Sequence, residues 1–413
     1  MEPAAAVPSL RANFAWTLAG NVFNAASQWA LLSLIAKLGS ARMLGEYALG
    51  LAIAMPVAML AHLNLRAVLA TDVERRHPFG DYLAVRAGAS AAGVLATAAV
   101  VAASGCGGRP AAVTLIIGMA LAAEAVSDLY HGLMQRRERM DLIARSMVIR
   151  GMAAVAGLGA TLWITRSLVW AVAAFALSRA AVLAVYDCPR GSRGEKLERS
   201  GASSQLEILR AALPLGAVLM LVSLTTNLPR YAIERFLGTT ELGAFAAVAS
   251  ALTVGNTLVN ALGQTATPRL ARLFSARELA RFRGLAAKLA ALAFSLGIAG
   301  AIAAALAGKF VLAIVYRPEY SAYSGLLVGI MGAGMMIYTA VALGYVITSA
   351  RSFAPQLPLL AAVAGSCGAA AWLLVPRFGL AGAAAAIATA AAVQVTGQLI
   401  ILSRIIWRAE RQA

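Results

Sequence analysis

The chain has 413 residues, of which 61% are hydrophobic and only 13% are charged. Soluble domains carry about a quarter charged residues, so this composition excludes a soluble globular protein and predicts one embedded in lipid. The formal net charge of +17 could suit a nucleic-acid-binding protein, but most Lys and Arg residues fall in loops on one side of the predicted spans. That bias follows the positive-inside rule, so we predict cytoplasmic termini, attraction to membrane lipids and no nucleic-acid partner.

Along the chain we predict about twelve apolar segments, each long enough for a helix to cross the hydrocarbon core of a bilayer. Backbone groups in lipid must form their hydrogen bonds internally, and these runs lack the alternation of barrel strands, so each segment is predicted to be helical. The predicted spans are residues 14–36, 44–65, 83–103, 111–133, 147–165, 168–186, 209–229, 242–264, 288–308, 325–347, 355–375 and 379–402.

One polar segment, residues 187–208, interrupts this pattern with Pro, Gly, Ser and charged residues. It is predicted to be a cytoplasmic linker between an N-terminal six-helix lobe, residues 1–186, and a C-terminal six-helix lobe, residues 209–413. An even number of spans gives both lobes the same orientation, so a pseudo-two-fold axis would run along the membrane normal. The overall prediction is an all-α integral membrane protein of two similar halves.

In the first half, polar residues form two stripes at helical spacing. The first predicted span carries Asn21, Asn24 and Gln28 on one face, where amides either tie helices together or line a hydrated cavity that binds sugar hydroxyls. The fourth span carries the acidic residues Glu124 and Asp128, followed by His131 and Gln135. Charges inside a membrane usually face the bundle interior or a wet cavity. The two carboxylates therefore predict either a proton or sodium site or a structural salt bridge to Arg145, Arg150 or Arg179.

In the second half, Asn227 and Arg230 share one face of the seventh span. The forked guanidinium of Arg230 suits phosphate oxygens, and the alternative is an interfacial anchor. In the eighth span, Asn256 and Asn260 are predicted to face inward like the amides of the first span. Residues 268–288 alternate Arg with apolar residues, which indicates either an amphipathic helix on the inner leaflet or an ordinary charged loop.

Signatures of catalysis and of metal binding are missing from the sequence. Three His and three Cys residues are scattered along the chain, without a zinc motif, a catalytic triad or a nucleotide-binding loop. A membrane glycan polymerase or acyltransferase would need a catalytic group on a sizeable outer loop, and every predicted outer loop is short. We therefore predict that the chain is not an enzyme and has no catalytic residues, metal or cofactor.

A family resemblance covers nearly the whole chain. It is carried by NFAWTLAG at 13–20, EAVSDLYHGLMQRRERMDLIARSMVIRG at 124–151, NLPRYAIERFLGTTELGAFAAV at 227–248, GNTLVNALGQTATPRLARLF at 255–274 and YRPEYSAYSGLL at 316–327. In order and spacing these segments resemble Wzx-type lipid-linked oligosaccharide flippases of the polysaccharide biosynthesis group, within the multidrug/oligosaccharidyl-lipid/polysaccharide (MOP) exporter superfamily.

The resemblance implies a MATE-like fold in two lobes around a central cationic cavity. It implies that the chain moves an undecaprenyl-diphosphate-linked oligosaccharide from the cytoplasmic to the periplasmic leaflet of a bacterial inner membrane, by alternating access. The product would feed exopolysaccharide, capsule or O-antigen (lipopolysaccharide) synthesis. Other glycan-assembly membrane proteins would be partners. The alternatives are a MATE-like cation-coupled small-molecule exporter and, from another class, a membrane glycan polymerase or acyltransferase.

For individual residues, the resemblance implies that Arg150, Arg179 and Arg230 attract the diphosphate or acidic sugars. Glu124 and Asp128 would couple movement to entry of H⁺ or Na⁺. The cation-site motif of the family finds no residue-by-residue match in this sequence.

Overall fold

A computed structural model of the chain describes residues 9–72, 76–105, 107–195, 197–352 and 355–411. Within these ranges all regular secondary structure is helical, which agrees with the predicted all-α class. The α-helices are α1 (Leu10–Leu38), α2 (Ala41–His62), α3 (Leu65–Thr71), α4 (Phe79–Ala103), α5 (Gly108–Arg136), α6 (Met140–Thr165), α7 (Leu168–Val182), α8 (Cys188–Gly191), α9 (Ala202–Phe236), α10 (Thr239–Ala249), α11 (Leu252–Ser275), α12 (Leu279–Val315), α13 (Ser324–Ser349) and α14 (Gln356–Arg411).

Ten helical segments within the described ranges are long and apolar enough to cross a membrane. Helix α1 covers the first predicted span but is not one of the ten, because its amide side chains lower its hydropathy. Helix α14 covers the last two predicted spans and has a non-helical residue between them, Gly379, with φ 59° and ψ −137°. The expected number of about twelve spans is recovered when α1 and both halves of α14 are counted.

The chain forms two compact units, which meet in sequence between Ser223 and Leu224, inside helix α9. The polar segment 187–208 packs against the first unit. Asp81 at the start of α4 accepts hydrogen bonds from the Ser200 amide at 3.1 Å and from the Gln205 side chain at 3.3 Å. These hydrogen bonds hold the polar segment against α4. The division into lobes at residues 187–208 stays a prediction.

A second anchor of the same segment is Glu195, whose carboxylate lies 2.9 Å from Arg136 and 3.2 Å from Arg137. Burial alone would raise the pKa of Glu195, but the hydrogen bonds from Arg137 and Arg136 hold that pKa below its ordinary value. The Glu195 carboxylate is therefore ionised near neutral pH and ties the polar segment to the end of α5.

The centre of the first unit is helix α5, which packs against α2, α3, α4 and α7. Its other neighbours include α6, which in turn packs against α1. Helices α1 and α6 approach closely because they have small residues at their contact: Gly20 lies against Ala144, and Gly151 lies against Ser27. Small residues allow membrane helices to approach without clashes of side chains. The central position of α5 places its polar stripe among side chains of several other helices.

The second unit is built around helix α13, which packs against α11, α12 and α14. Aromatic rings of α13 sit on glycines of α11: Tyr338 lies against Gly255, and Tyr345 lies against Gly263. Neither alternative predicted for residues 268–288, a separate amphipathic helix or a charged loop, is observed, because α11 continues to Ser275 and α12 begins at Leu279. The ring of Phe282 is fully buried, so the apolar residues of this stretch contribute to the core instead of facing lipid.

The contact between α12 and α13 generates a stability prediction. A Cβ at Gly297 of α12 would lie 2.4 Å from the backbone Cα of Met335 in α13, so Gly297→Ala must push two helices apart. We expect this substitution to destabilise the protein by about 1–3 kcal/mol, despite the better helix propensity of Ala. The measurement is the thermal unfolding midpoint in detergent.

The matched control lies in the same helix. Gly284 of α12 has open space around its missing Cβ, so Gly284→Ala should leave the midpoint unchanged or raise it. An unchanged midpoint for Gly297→Ala would contradict the close helix contact.

Candidate functional site

The polar stripe of α5 meets partners from other helices at every position. Glu124 and Asp128 contact basic residues, His131 contacts Ser146 and Asp187, and Gln135 accepts a hydrogen bond from Arg66 at 2.8 Å. The stripe therefore makes a series of polar contacts along α5, which we describe in order from Glu124. Its members can do so because helical spacing places them on one face.

The first group of contacts joins Glu124 to Arg150 of α6 and Arg179 of α7, and we call these three residues the Glu124 triad. One carboxylate oxygen lies 3.4 Å from Nη1 of Arg150, and the other lies 3.3 Å from Nη1 of Arg179. The side chain of Glu124 is 31% exposed, whereas those of Arg150 and Arg179 are 6% and 2% exposed. Two buried guanidinium groups thus share a single, more accessible carboxylate.

The guanidinium of Arg179 also lies over the ring of Phe175, 4.8 Å from its centroid, which fixes its orientation. Of the partners expected from the sequence for a structural salt bridge, Arg145 is not used in this way. Its guanidinium lies over the ring of Trp16 at 5.7 Å.

The second group of contacts is centred on Asp128. Its two carboxylate oxygens lie 3.2 Å from Nε2 of His62, the last residue of α2, and 3.0 Å from Nη1 of Arg66 in α3. The Arg66 side chain also donates to Gln135, so it bridges two positions of the stripe. Sequence reasoning missed both His62 and Arg66, because neither is adjacent in sequence to the stripe and each is a single charged or ionisable residue near a span end.

The third group of contacts is a buried cluster around Asp187. Nε2 of His131 lies 3.3 Å from Asp187 and 3.0 Å from the hydroxyl of Ser146, and Ser127 donates to the other carboxylate oxygen of Asp187. Asp187 ends a π-helical turn, Leu183–Asp187, that follows α7. Such turns are rare and occur frequently at functional sites. The sequence reasoning assigned Asp187 to the polar linker and so missed its place in the bundle.

The amides of the first span have a different environment. Asn21 is exposed, and Asn24 and Gln28 are half-buried on α1. The Asn24 backbone carbonyl accepts a hydrogen bond from Ser27 at 2.8 Å. Within the described part of the chain, no hydrogen bond or ion pair joins these amides to the Glu124 triad, so their role in a cavity stays a prediction.

The second-half candidates lie in the second unit. Asn227 is buried and its side-chain oxygen accepts a hydrogen bond from Arg230 at 3.1 Å. Asn260 accepts a hydrogen bond from the Tyr345 hydroxyl at 3.1 Å, between α11 and α13, and Asn256 is half-buried one turn earlier. Their inward placement agrees with either helix association or a polar cavity. Among the described residues, no cluster of three or more His, Cys, Asp or Glu side chains could hold a metal ion.

Comparisons with solved structures identify the fold. A multidrug resistance MATE family transporter of the MOP superfamily superimposes with a TM-score of 0.70, over 97% of this chain and 96% of the other, at 12% identity. The lipid II flippase MurJ superimposes with a TM-score of 0.75, over 94% of this chain and 88% of the other, at 10% identity. The protein is therefore a multi-pass membrane protein with the fold of MOP-superfamily exporters.

Comparisons of sequence identify the family. Residues 10–274 match the model of the family described as polysaccharide biosynthesis protein. A capsular polysaccharide biosynthesis protein of Staphylococcus aureus, CapF, is 22% identical over 375 residues, which are 90% of this chain and 94% of the relative. The chain belongs to the polysaccharide biosynthesis protein family. The predicted membership of the polysaccharide biosynthesis group is confirmed at this level.

The Asp187 cluster generates a prediction that separates structural from transport roles. Asp187→Ala would leave the buried Ser127 hydroxyl without its acceptor and the His131 ring with Ser146 as its remaining partner. Each buried unsatisfied polar group costs about 1–3 kcal/mol, so we expect a clearly lower thermal midpoint. The matched control is Glu410→Gln, which alters an exposed ion pair with Arg283 and should change the midpoint little. Equal midpoints for Asp187→Ala and the unmodified protein would exclude a structural role for this cluster.

Proposed function

We propose that the protein translocates an undecaprenyl-diphosphate-linked oligosaccharide from the cytoplasmic to the periplasmic leaflet of a bacterial inner membrane by alternating access. The family description and CapF link the chain to polysaccharide and capsule synthesis. A fold shared with a lipid II flippase supports a lipid-linked substrate, since the chain resembles that structure over most of its length. The transported glycan would serve exopolysaccharide, capsule or O-antigen assembly.

The observation that supports this proposal best is the charge balance of the Glu124 triad. Two guanidinium groups share one carboxylate, so one positive charge is left over. The Nε atoms of Arg150 and Arg179 have no hydrogen-bond partner among the described residues. Guanidinium groups bind phosphate oxygens through forked pairs of N–H donors. A diphosphate, with its several negative oxygens, would satisfy both arginines better than Glu124 does.

Glu124 would then act as an internal substitute for the substrate. It is the most exposed member of the triad, so an incoming diphosphate would reach its position and displace it from the arginines. Protonation of the displaced carboxylate would couple the cycle to H⁺, and binding of Na⁺ beside it would serve the same end. A single charge crossing a membrane potential of 100 mV gains about 2.3 kcal/mol, which is enough to bias one step. Asp128, held by His62 and Arg66, is the second proposed coupling residue.

The test follows a fluorescent polyprenyl-diphosphate oligosaccharide across the leaflets of proteoliposomes. Arg150→Gln and Arg179→Gln should each reduce the rate at least about 10-fold, the effect of losing about 1.4 kcal/mol of binding. Arg179→Lys should give an intermediate rate, because it keeps the charge and loses the fork. Arg283→Gln, which removes an exposed arginine of the second unit, is the matched control and should leave the rate unchanged.

The same variants distinguish the alternative. A MATE-like small-molecule exporter shares this fold, so efflux of a cationic dye is measured in cells that produce the same proteins. Normal flipping by folded Arg150→Gln and Arg179→Gln variants would refute the diphosphate site. Dye efflux without oligosaccharide flipping would favour the exporter.

A further inference from the structure

A buried arginine outside the polar stripe has almost no partners. Arg86 lies in α4, within a candidate membrane span, and its side chain is 0% exposed. Its one hydrogen bond runs from Nη1 to the backbone carbonyl of Ala61, at 3.4 Å. Its Nε and Nη2 atoms have no hydrogen-bond partner among the described residues. Buried polar groups are nearly always paired, so these two nitrogens are available to a ligand or to an ordered water molecule.

The charge of Arg86 is also uncompensated. No carboxylate oxygen of the described part of the chain lies within 4.0 Å of its nitrogens, the limit for an ion pair. Asp128 attracts Arg86 from a greater distance, but the oxygens of Asp128 are already taken by His62 and Arg66. A buried charge without a counterion costs several kcal/mol.

A small cavity begins next to this arginine. Ser90, Gly93 and Thr97 follow Arg86 on the same face of α4, at helical offsets that keep them aligned. These three residues line the cavity together with Ala58 and Ala61 of α2 and with Gly118, Leu121, Ala122 and Ala125 of α5. Ala61 both lines the cavity and accepts the hydrogen bond of Arg86, so the guanidinium adjoins the cavity at Ala61 without lining it.

Ser90 adds a polar group to the lining of the cavity. It lies one helical turn after Arg86, is buried, and its hydroxyl has no hydrogen-bond partner among the described residues. The rest of the lining consists of Ala, Gly, Val, Leu and Thr side chains, without a carboxylate. The lining thus offers hydroxyl groups and nothing that would attract a cation, and the positive charge of Arg86 lies behind it, bonded to the backbone of the lining residue Ala61.

We propose that Arg86 and Ser90 bind a small monovalent inorganic anion, of the size and charge of chloride, inside the first unit. A water molecule could accept hydrogen bonds from both side chains but would leave the charge of Arg86 uncompensated. An anion would accept the hydrogen bonds and also compensate the charge. Because its lining comes from α2, α4 and α5, the bound anion would hold these three helices together. This site is separate from the Glu124 triad and does not depend on the substrate proposed for the triad.

The experiment compares thermal unfolding of the purified protein in sodium chloride, sodium gluconate and sodium sulfate at equal ionic strength. A ligand that binds only the folded state raises the midpoint, and we expect chloride to raise it by about 3 °C or more over gluconate. Arg86→Gln should abolish the difference between the salts. The control Arg283→Gln alters an exposed ion pair and should preserve the difference.

Two further measurements apply if Arg86→Gln fails to fold. Ser90→Ala retains the charge of Arg86, and it should require about 10-fold more chloride for the same midpoint, equivalent to about 1.4 kcal/mol. Crystals grown in bromide should show an anomalous peak beside Arg86. Equal midpoints in chloride and gluconate for the unmodified protein, or stabilisation by sulfate alone, would overturn the proposal. A bromide-free site in crystals that contain bromide would also overturn it.

Discussion

The structure of the first unit depends on one constraint: a charge that is removed from water must find an opposite charge or a set of hydrogen bonds. Helix α5 meets this constraint at successive turns, since Glu124 contacts two arginines and Asp128 contacts His62 and Arg66. Helices α2, α3, α6 and α7 each contribute at least one of these partners. The polar stripe therefore specifies how these helices are arranged around α5. Van der Waals packing of small and apolar residues brings the helices into close contact.

The same ionic contacts give the proposed transport site its properties. Water is largely excluded from Arg150 and Arg179, so their attraction for an anion is weakened less than it would be on a surface. Glu124 keeps both guanidinium groups in place when no substrate is present. In a site of this kind the two arginines are already in position before substrate binds. The accessible carboxylate can be exchanged for a substrate anion without exposing the arginines to lipid.

The all-α class and most spans could be predicted from hydropathy, because lipid permits few other structures. The stripe on α5 was also predictable, since helical spacing alone aligns its members. Its partners were not, because pairing between distant helices leaves no local signal: Asp187 reads as part of a polar linker, although a π-helical turn carries it into the bundle. Arg86 was overlooked for a different reason. It is a single charge near the start of a predicted span, where an arginine usually reaches the interface, and only its burial distinguishes it.

The anchoring of the polar segment has a consequence for anyone who wishes to express the halves as separate polypeptides. A cut between residues 187 and 200 would separate Ser200 and Gln205 from the Asp81 carboxylate to which they are bound. The C-terminal fragment would then begin with a polar stretch that has lost these hydrogen bonds. A cut after Phe236, where α9 ends, would keep these contacts in one fragment but would separate Asn227 and Arg230 from the rest of the second unit. The most hydrophilic stretch of the sequence is therefore a poor place to divide the gene.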